Sequence, residues 1–241
     1  PANATTSQIV NFTVLNVNSA PYFRYVCDNE RNTTENSLFN CYINVTDIDE
    51  TNNLTITANY TWFKFNSTGT NTANVSVNVT TNFNGTFIVN FTSSDTEVGN
   101  WSLNISLRDT GSPTGLNSTV FYFYIGNIND SVSIDDIANV TVYTSNNYTI
   151  YVNASDDDLL IPDKSVYNES LTFTSNNTNV TINTTTYISG TNKTQVSIKF
   201  NPALMGNGNH TINISVRDRY NFSIASDIFT IQVLVNNPPQ W

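Results

Sequence analysis

The sequence predicts an all-β fold: two β-sandwich domains in tandem, preceded by one extra N-terminal strand. Three observations lead there. Helical periodicity is almost absent, and short alternating runs rich in Val, Ile, Thr, Phe and Tyr are separated by clusters of Asn, Asp, Gly and Ser. The chain repeats itself, with shared landmarks in one order. Its 241 residues also suffice for two domains of ordinary size, each with a core of its own.

Taken in order, residues 1–19 come first. Val10, Phe12 and Val14 face one way and Asn11 and Thr13 the other, as in a strand. "VLNVNSAP" (14–21) has the same strand-then-linker form as "IGNIND" (125–130) and "LVNNPP" (234–239), so residues 1–19 read as the last strand of a preceding repeat or as a donor strand. Either the chain is cut from a longer tandem array, or this strand pairs with the sheet edge of a neighbouring copy. The alternation argues against a frayed tail. The first domain spans 20–130 and the second 131–237, and 238–241 reads as a linker or the start of a further repeat. "NVTDID" (44–49) matches "NASDDD" (153–158), and "NISLRD" (104–109) matches "NISVRD" (213–218), both at an offset of 109. "LTIT" (54–57) matches "LTFT" (171–174), which puts eight extra residues into the connection "LLIPDKSVYNE" of the second copy.

Charged residues make up only 12% of the chain, 19 acids against 9 bases, for a net charge of −10. That balance excludes nucleic acid and anionic membrane surfaces as partners, which need clustered Lys and Arg. No stretch approaches the roughly 20 apolar residues of a membrane-spanning helix, so membrane insertion is not expected. The opening "PANATTSQIV" has neither a basic nor an apolar leader segment, as expected once a signal peptide has gone. Cys27 and Cys41 bound a short loop. In an oxidising compartment they form a disulfide, and closing about 15 residues contributes roughly 3 kcal/mol in the loop-entropy model. The alternative is a pair of buried free thiols.

Solubility must come from amides and hydroxyls, or from something attached to them: the chain has 41 Asn, 35 Thr and 23 Ser. Glycan acceptors of the form Asn-x-Ser/Thr are assigned at Asn3, Asn11, Asn32, Asn44, Asn53, Asn59, Asn66, Asn74, Asn78, Asn84, Asn90, Asn100 and Asn104. Further acceptors are Asn117, Asn139, Asn147, Asn153, Asn168, Asn176, Asn179, Asn183, Asn192, Asn209, Asn213 and Asn221. These 25 exceed the roughly 10 that composition alone gives. Position agrees with the excess. In "NWSLNISLRD" (100–109), Trp101, Leu103, Ile105 and Leu107 point inward by the period of two, which leaves Asn100 and Asn104 outside. In "NHTINISVRD" (209–218), His210, Ile212, Ile214 and Val216 point inward and Asn209 and Asn213 outward. Glycans are bulky and sit on surfaces, so the outer faces read as attachment surfaces for sugar.

The pattern "VTDIDETNNLTIT … VGNWSLNISLRD … NINDS" resembles the cadherin-like and dystroglycan-type Ig-like repeats of prokaryotic surface proteins, over residues 20–237. In composition the chain is also similar to heavily N-glycosylated filaments and surface-layer proteins of archaea. The resemblance implies seven-stranded Greek-key sandwiches strung end to end in adhesins, stalks and surface layers. Cadherin-like repeats place Ca²⁺ between carboxylate and carbonyl oxygens, the hard ligands it needs. This implies the candidates Asp47, Asp49, Asp109, Asn127, Asn129, Asp130, Asp156, Asp158 and Asp218, foremost at Asn127, Asn129 and Asp130. Two departures count against it: neither "NVNSAP" nor "VNNPP" has an Asp. The alternative is solvated turn acids, with Asp109 and Asp218 paired to Arg108, Arg217 or nearby backbone N–H groups. No cofactor is otherwise required.

Nothing argues for catalysis. His210 is the sole histidine and occupies the slot of Trp101, where packing is expected, and there is no C-x-x-C or G-x-S-x-G. No pair of acids is placed across a cleft. "YTWFKF" (60–65) and "VFYFYI" (120–125) put rings on both faces of what read as strands, and Trp62 is the single ring that suggests a lectin-like site. The expectation is an extracellular, heavily N-glycosylated structural protein. It would be a filament subunit or adhesin stalk joined head to tail to copies of itself by the N-terminal strand. The second reading is a calcium-dependent adhesin or carbohydrate-binding repeat module.

Overall fold

A computed structural model describes residues 7–14, 17–27, 31–49, 53–66, 71–72, 74–78, 84–144 and 146–235. The first series of strands is β1 (Tyr22–Val26), β2 (Asn32–Thr34), β3 (Leu38–Thr46), β4 (Asn53–Ala58), β5 (Phe65–Asn66), β6 (Asn71–Thr72), β7 (Asn74–Asn78), β8 (Asn84–Thr92), β9 (Gly99–Arg108) and β10 (Leu116–Gly126). The second is β11 (Ser133–Ile134), β12 (Val140–Tyr143), β13 (Tyr148–Ser155), β14 (Thr172–Ser175), β15 (Val180–Tyr187), β16 (Lys193–Phe200), β17 (Gly208–Arg217) and β18 (Ile224–Leu234). Among the described residues, helix is confined to single turns at Asp95–Glu97, Asp157–Leu160 and α1 (Pro202–Met205).

Four sheets result, ordered β1-β3-β8-β5-β6, β2-β10-β9-β4-β7, β11-β13-β16-β15 and β12-β18-β17-β14. The protein is an all-β chain of Ig-like sandwiches, as the alternation predicts. The reason is visible in β3: Phe39, Cys41, Ile43 and Val45 are buried, while Leu38, Asn40 and Tyr42 are exposed. In β9 and β17 the same alternation buries Leu103, Ile105 and Leu107, and Ile212, Ile214 and Val216. Opposite them, Asn100, Asn104 and Asn209 are exposed.

Two compact units divide the chain, and they do not follow its order. The first comprises Pro1–Arg31, Phe39–Phe91 and Ser102–Tyr122; the second comprises Asn32–Leu38, Thr92–Trp101 and Phe123–Trp241. The first is built around phenylalanine. Phe63 lies 5.5 Å from Phe65, 5.5 Å from Phe91 and 6.2 Å from Phe121, ring centre to ring centre. The Cys27–Cys41 disulfide is formed in this unit, with both residues buried and Cα atoms 5.5 Å apart. The core of the second is aliphatic, with Val152, Val196, Ile198, Ile212, Ile214, Ile231 and Val233 around Phe200 and Phe229.

Residues 7–14, read from the sequence as an unpaired strand, lie in no strand of this chain, and Ile9, Phe12 and Val14 are each close to 90% exposed. One expectation is corrected. "YTWFKF" is not a two-faced strand: residues 59–63 turn, and only Phe65 enters β5. From that turn Phe63 and Phe65 drop into the core, while Trp62 stacks on Tyr60 at 5.9 Å and meets Phe91 edge-on at 5.3 Å. In "VFYFYI", Phe121 and Phe123 are buried and Tyr122 and Tyr124 face out. The tail 238–241 and Asn3 lie outside the described residues.

Candidate metal centre and glycan-acceptor faces

The second unit gathers carboxylates from three separate stretches of chain. Glu35 follows β2, which runs parallel to the end of β10 with Asn32 opposite Tyr124 and Thr34 opposite Gly126. The Glu35 N–H continues that pairing to the Gly126 carbonyl at 3.0 Å. Asn36, at φ 57°, then donates to the Ser93 carbonyl at 2.9 Å and brings the next stretch alongside. There Asp95 opens the single turn Asp95–Glu97, whose Glu97 carboxylate reaches back to the Ser94 N–H at 2.8 Å, the reciprocal contact of a capping box. Asp130 and Asp158 complete the group, tied together by the Asp130 N–H on Asp158 Oδ2 at 3.0 Å.

One carboxylate oxygen from each of Glu35, Asp95, Asp130 and Asp158 lies within 4.8 Å of the other three. Glu35, Asp95 and Asp158 are buried. Four like charges so close, away from water, repel strongly. Burial first, then contact with Asp95, pushes the Glu35 carboxyl up to about 8, against the pull of the Ile128 N–H that it accepts. Burial and the neighbouring Asp95 and Asp158 push Asp130 to about 6. Burial raises Asp156 to about 7 and also raises Asp158. Among the described residues the one ion pair is Lys193–Asp135.

The donor set fits a hard cation. Glu35 Oε2, Asp95 Oδ1, Asp158 Oδ1 and Asn127 Oδ1 are buried oxygens with no hydrogen-bond partner, a costly state unless something else binds them. Calcium takes six to eight oxygens at about 2.3–2.6 Å, so ligands on opposite sides of it stand up to about 5 Å apart, which matches the 4.8 Å spread. Just beyond lie two more orphaned oxygens, Asp156 Oδ2 and Glu169 Oε2. Asp156 Oδ1 fixes the turn by accepting the Asp158 N–H at 3.0 Å. Glu169 Oε1 accepts the N–H groups of Ser170 and Arg219 at 2.7 and 2.8 Å.

Of the sequence candidates, Asn127, Asp130, Asp156 and Asp158 meet here. Asn129 lies beside them, but its Oδ1 accepts from the Tyr167 hydroxyl. Asp47, Asp49 and Asp109 lie in the first unit, where Asp47 Oδ2 is, like Asp156 Oδ2, a buried oxygen with no hydrogen-bond partner. Asp109 accepts N–H groups from Gly111 at 2.9 Å and Gly115 at 2.8 Å on Oδ1, and the Asn18 amide at 2.9 Å on Oδ2. Asp49 accepts the Ser19 N–H, and Asp47 Oδ1 accepts that of Asp49 at 2.9 Å. Asp218 accepts from Phe222 N–H at 2.9 Å and Ser223 N–H at 2.6 Å. Backbone N–H groups, joined by the Asn18 amide at Asp109 and the Ser223 hydroxyl at Asp218, hold the two carboxylates. Glu35 and Asp95 escape a sequence reading because neither sits in the repeated motifs, although the Ser94-x-x-Glu97 spacing is a legible turn signal.

The acceptor asparagines on strands sit where their pleat positions dictate, and the rest lie in turns and loops. Of the 19 whose side chains are described, none is buried. For Asn53, Asn66, Asn74, Asn78 and Asn84 only the strand position is described. Some are also structural: Asn59 Oδ1 takes the N–H of Asn104 and Asn176 Oδ1 that of Asn213, both at 2.9 Å, just past the ends of β4 and β14. The triplet at 129–131 also has acceptor form, which brings the sequence total to 26. His210 occupies the slot of Trp101, half-buried like it: Trp101 Nε1 donates to the Glu97 carbonyl at 2.5 Å, and His210 Nε2 lies 2.9 Å from that of Gly206.

No family model matches the chain, and no curated protein matches it in sequence. Among solved structures it is similar to protocadherin gamma B2 extracellular cadherin domains 1–5, at 14% identity and a TM-score of 0.42, over 94% of this chain and 42% of that one. It is also similar to mouse cadherin-23 EC22-24, at 14% identity and a TM-score of 0.40, over 90% of this chain and 67% of that one. An endo-fucoidan hydrolase of glycoside hydrolase family 107 is similar at 11% identity and a TM-score of 0.34, over 90% of this chain and 29% of that one. The chain thus spans under half of the protocadherin and under a third of the hydrolase. These likenesses concern the fold alone.

Proposed function

We propose that this chain is a module of an extracellular, N-glycosylated structural protein, a subunit of a surface filament or an adhesin stalk. The carrying observation is that none of the 19 acceptor asparagines assigned above and described is buried, although ten of them sit on strands whose alternate residues fill the cores. The disulfide fits an oxidising, extracytoplasmic setting. Copies join head to tail through the N-terminal segment, whose exposed Ile9, Val10, Phe12, Val14 and Val17 supply an apolar strand for a neighbouring sheet edge. Its role is mechanical, with no reaction assigned to it.

Site-resolved mass spectrometry of native material tests the coat: Asn104 and Asn213 should carry glycan, and bare asparagines at both would refute it. Joining is tested separately. A variant lacking residues 7–17 should leave single chains where the intact chain forms particles, and undiminished particles would exclude the segment.

The acid cluster favours a second, compatible reading, a calcium-dependent adhesive module. Ca²⁺ bound by Glu35, Asp95, Asp130 and Asp158, with Asn127, would neutralise the cluster and tie 32–38 and 92–101 to 127–130 and Asp158 within one unit.

A further inference from the structure

Two acceptor sites differ from all the others, and they differ in the same way. Only Asn44 and Asn153 have an aromatic residue two positions before them, Tyr42 and Tyr151, and the two pairs stand 109 residues apart at equivalent places in the two repeats. On a strand, residues two apart share a face and lie roughly 6.6 Å from each other. Tyr42 and Asn44 do so on β3, and Tyr151 and Asn153 on β13. Both rings face outward: Tyr42 is 51% exposed and Tyr151 69%.

The amides are also held alike. A neighbouring strand clasps each by its oxygen: Thr86 Oγ1 donates to Asn44 Oδ1 and Gln195 Nε2 to Asn153 Oδ1, both at 3.0 Å. With Oδ1 so engaged, Nδ2 is turned the other way. At Asn153 it donates one hydrogen to Asp135 Oδ2, at 3.3 Å, which leaves its second hydrogen free for replacement. Tyr25 stands directly across from Asn44 on β1 and adds a second ring beside that site.

We propose that Tyr42 and Tyr151 are stacking platforms for the first sugar of the glycans on Asn44 and Asn153. This rests on the glycan reading above. In the modification, Nδ2 attacks the anomeric carbon of a sugar-diphosphate donor. The N–C bond forms, the C–O bond to phosphate breaks with its electron pair leaving on the diphosphate, and the amide loses one proton. The sugar then projects from the strand beside the tyrosine. The ring's electron-rich face meets the electropositive C–H groups of the pyranose, an attraction of the same origin as edge-to-face aromatic contacts. A large exposed ring, otherwise an apolar liability on a sheet face, is thereby covered.

The test is a double-mutant cycle on natively glycosylated protein, with Tyr151→Ala, Asn153→Gln and the pair, read by melting temperature. Peptide mass spectrometry at Asn153 runs alongside. Tyr151→Ala should lower Tm by about 4 °C when Asn153 carries sugar. It should change nothing in the Asn153→Gln background, while Tyr151→Phe keeps the full Tm. A glycosylated Asn153 with equal Tyr151→Ala losses in both backgrounds overturns the stacking and leaves the coat standing. A bare Asn153 overturns both at this site.

Discussion

Calcium and protons should be alternative occupants of the acid cluster, and each should stabilise the protein in its own pH range. Consider the metal-free chain first. The folded state holds the Glu35 proton up to about pH 8, whereas the carboxyl in the unfolded chain releases it near 4.5. The folded-state pKa is raised, so the stability it provides is full below about pH 4.5 and is lost as pH climbs through 8. At about 1.36 kcal/mol per pH unit, the loss by pH 8 amounts to a few kcal/mol, shared among the coupled acids of the cluster rather than owed to Glu35 alone. Asp130 and Asp156 add losses of the same sign, complete by about pH 6 and 7. Calcium should act oppositely. With a Kd of about 10⁻⁴ M, at the tight end for extracellular modules, 10 mM Ca²⁺ should contribute about 2.7 kcal/mol at pH 8. At pH 5 protons occupy the oxygens and the gain should shrink to well under 1 kcal/mol. Urea unfolding followed by tryptophan fluorescence, in EDTA and in 10 mM Ca²⁺ at pH 5 and 8, reads all four corners. Asp158→Asn removes one of the like charges. It should raise metal-free stability at pH 8 and abolish the calcium response, a pairing of signs that lost packing does not produce. A pH-independent stability in EDTA, or an equal calcium gain at both pH values, would refute the reasoning.

Other predictions concern the scaffold. Gly115→Ala would put a Cβ 2.3 Å from Asp109 Oδ2 and 2.6 Å from Ala20 Cα, and should cost about 1–3 kcal/mol in urea midpoint. Phe63→Ala, at the meeting of four other rings, should cost about 3–5 kcal/mol by the same assay. Replacing Cys27 and Cys41 by Ser should cost about 3 kcal/mol, and reducing the native chain should lower its urea midpoint similarly. Asn176→Ala leaves the Asn213 N–H without its acceptor and should cost about 1 kcal/mol, separably from any sugar on Asn176, since stripping native glycan leaves the Asn213 contact in place.

The period of two made the cores legible, and β9 and β17 show why. Each inward residue there is hydrophobic or a half-buried ring, and nothing in the tertiary structure overrides the alternation. The acid cluster was only half legible. Asp156 and Asp158 repeat Asp47 and Asp49, and Asp218 repeats Asp109, so residue type alone ranks them equally. Environment separates them: in the first unit Ser19 supplies the N–H that Asp130 supplies in the second, and it brings no carboxylate. The amide of Asn18 lies against Asp109 there. Glu35 and Asp95 arrive by a turn and a single helical turn, and their convergence is a matter of fold rather than local pattern. "YTWFKF" misled for a related reason, since a run of rings has no period when a turn delivers them singly.

One detail of the second sandwich bears on load. Its early strand β12 lies parallel to its last strand β18, with Val140 opposite Ile231 and Tyr143 opposite Leu234. Tension on a fibre enters such a sandwich through its two ends and pulls these neighbours in opposite directions along their common axis. All four register pairs then resist together, and none can open until the whole set slips. An antiparallel hairpin pulled from its ends peels one rung at a time. In a fibre under tension, this junction would act as a catch, and rupture force, more than equilibrium stability, would be the quantity it sets.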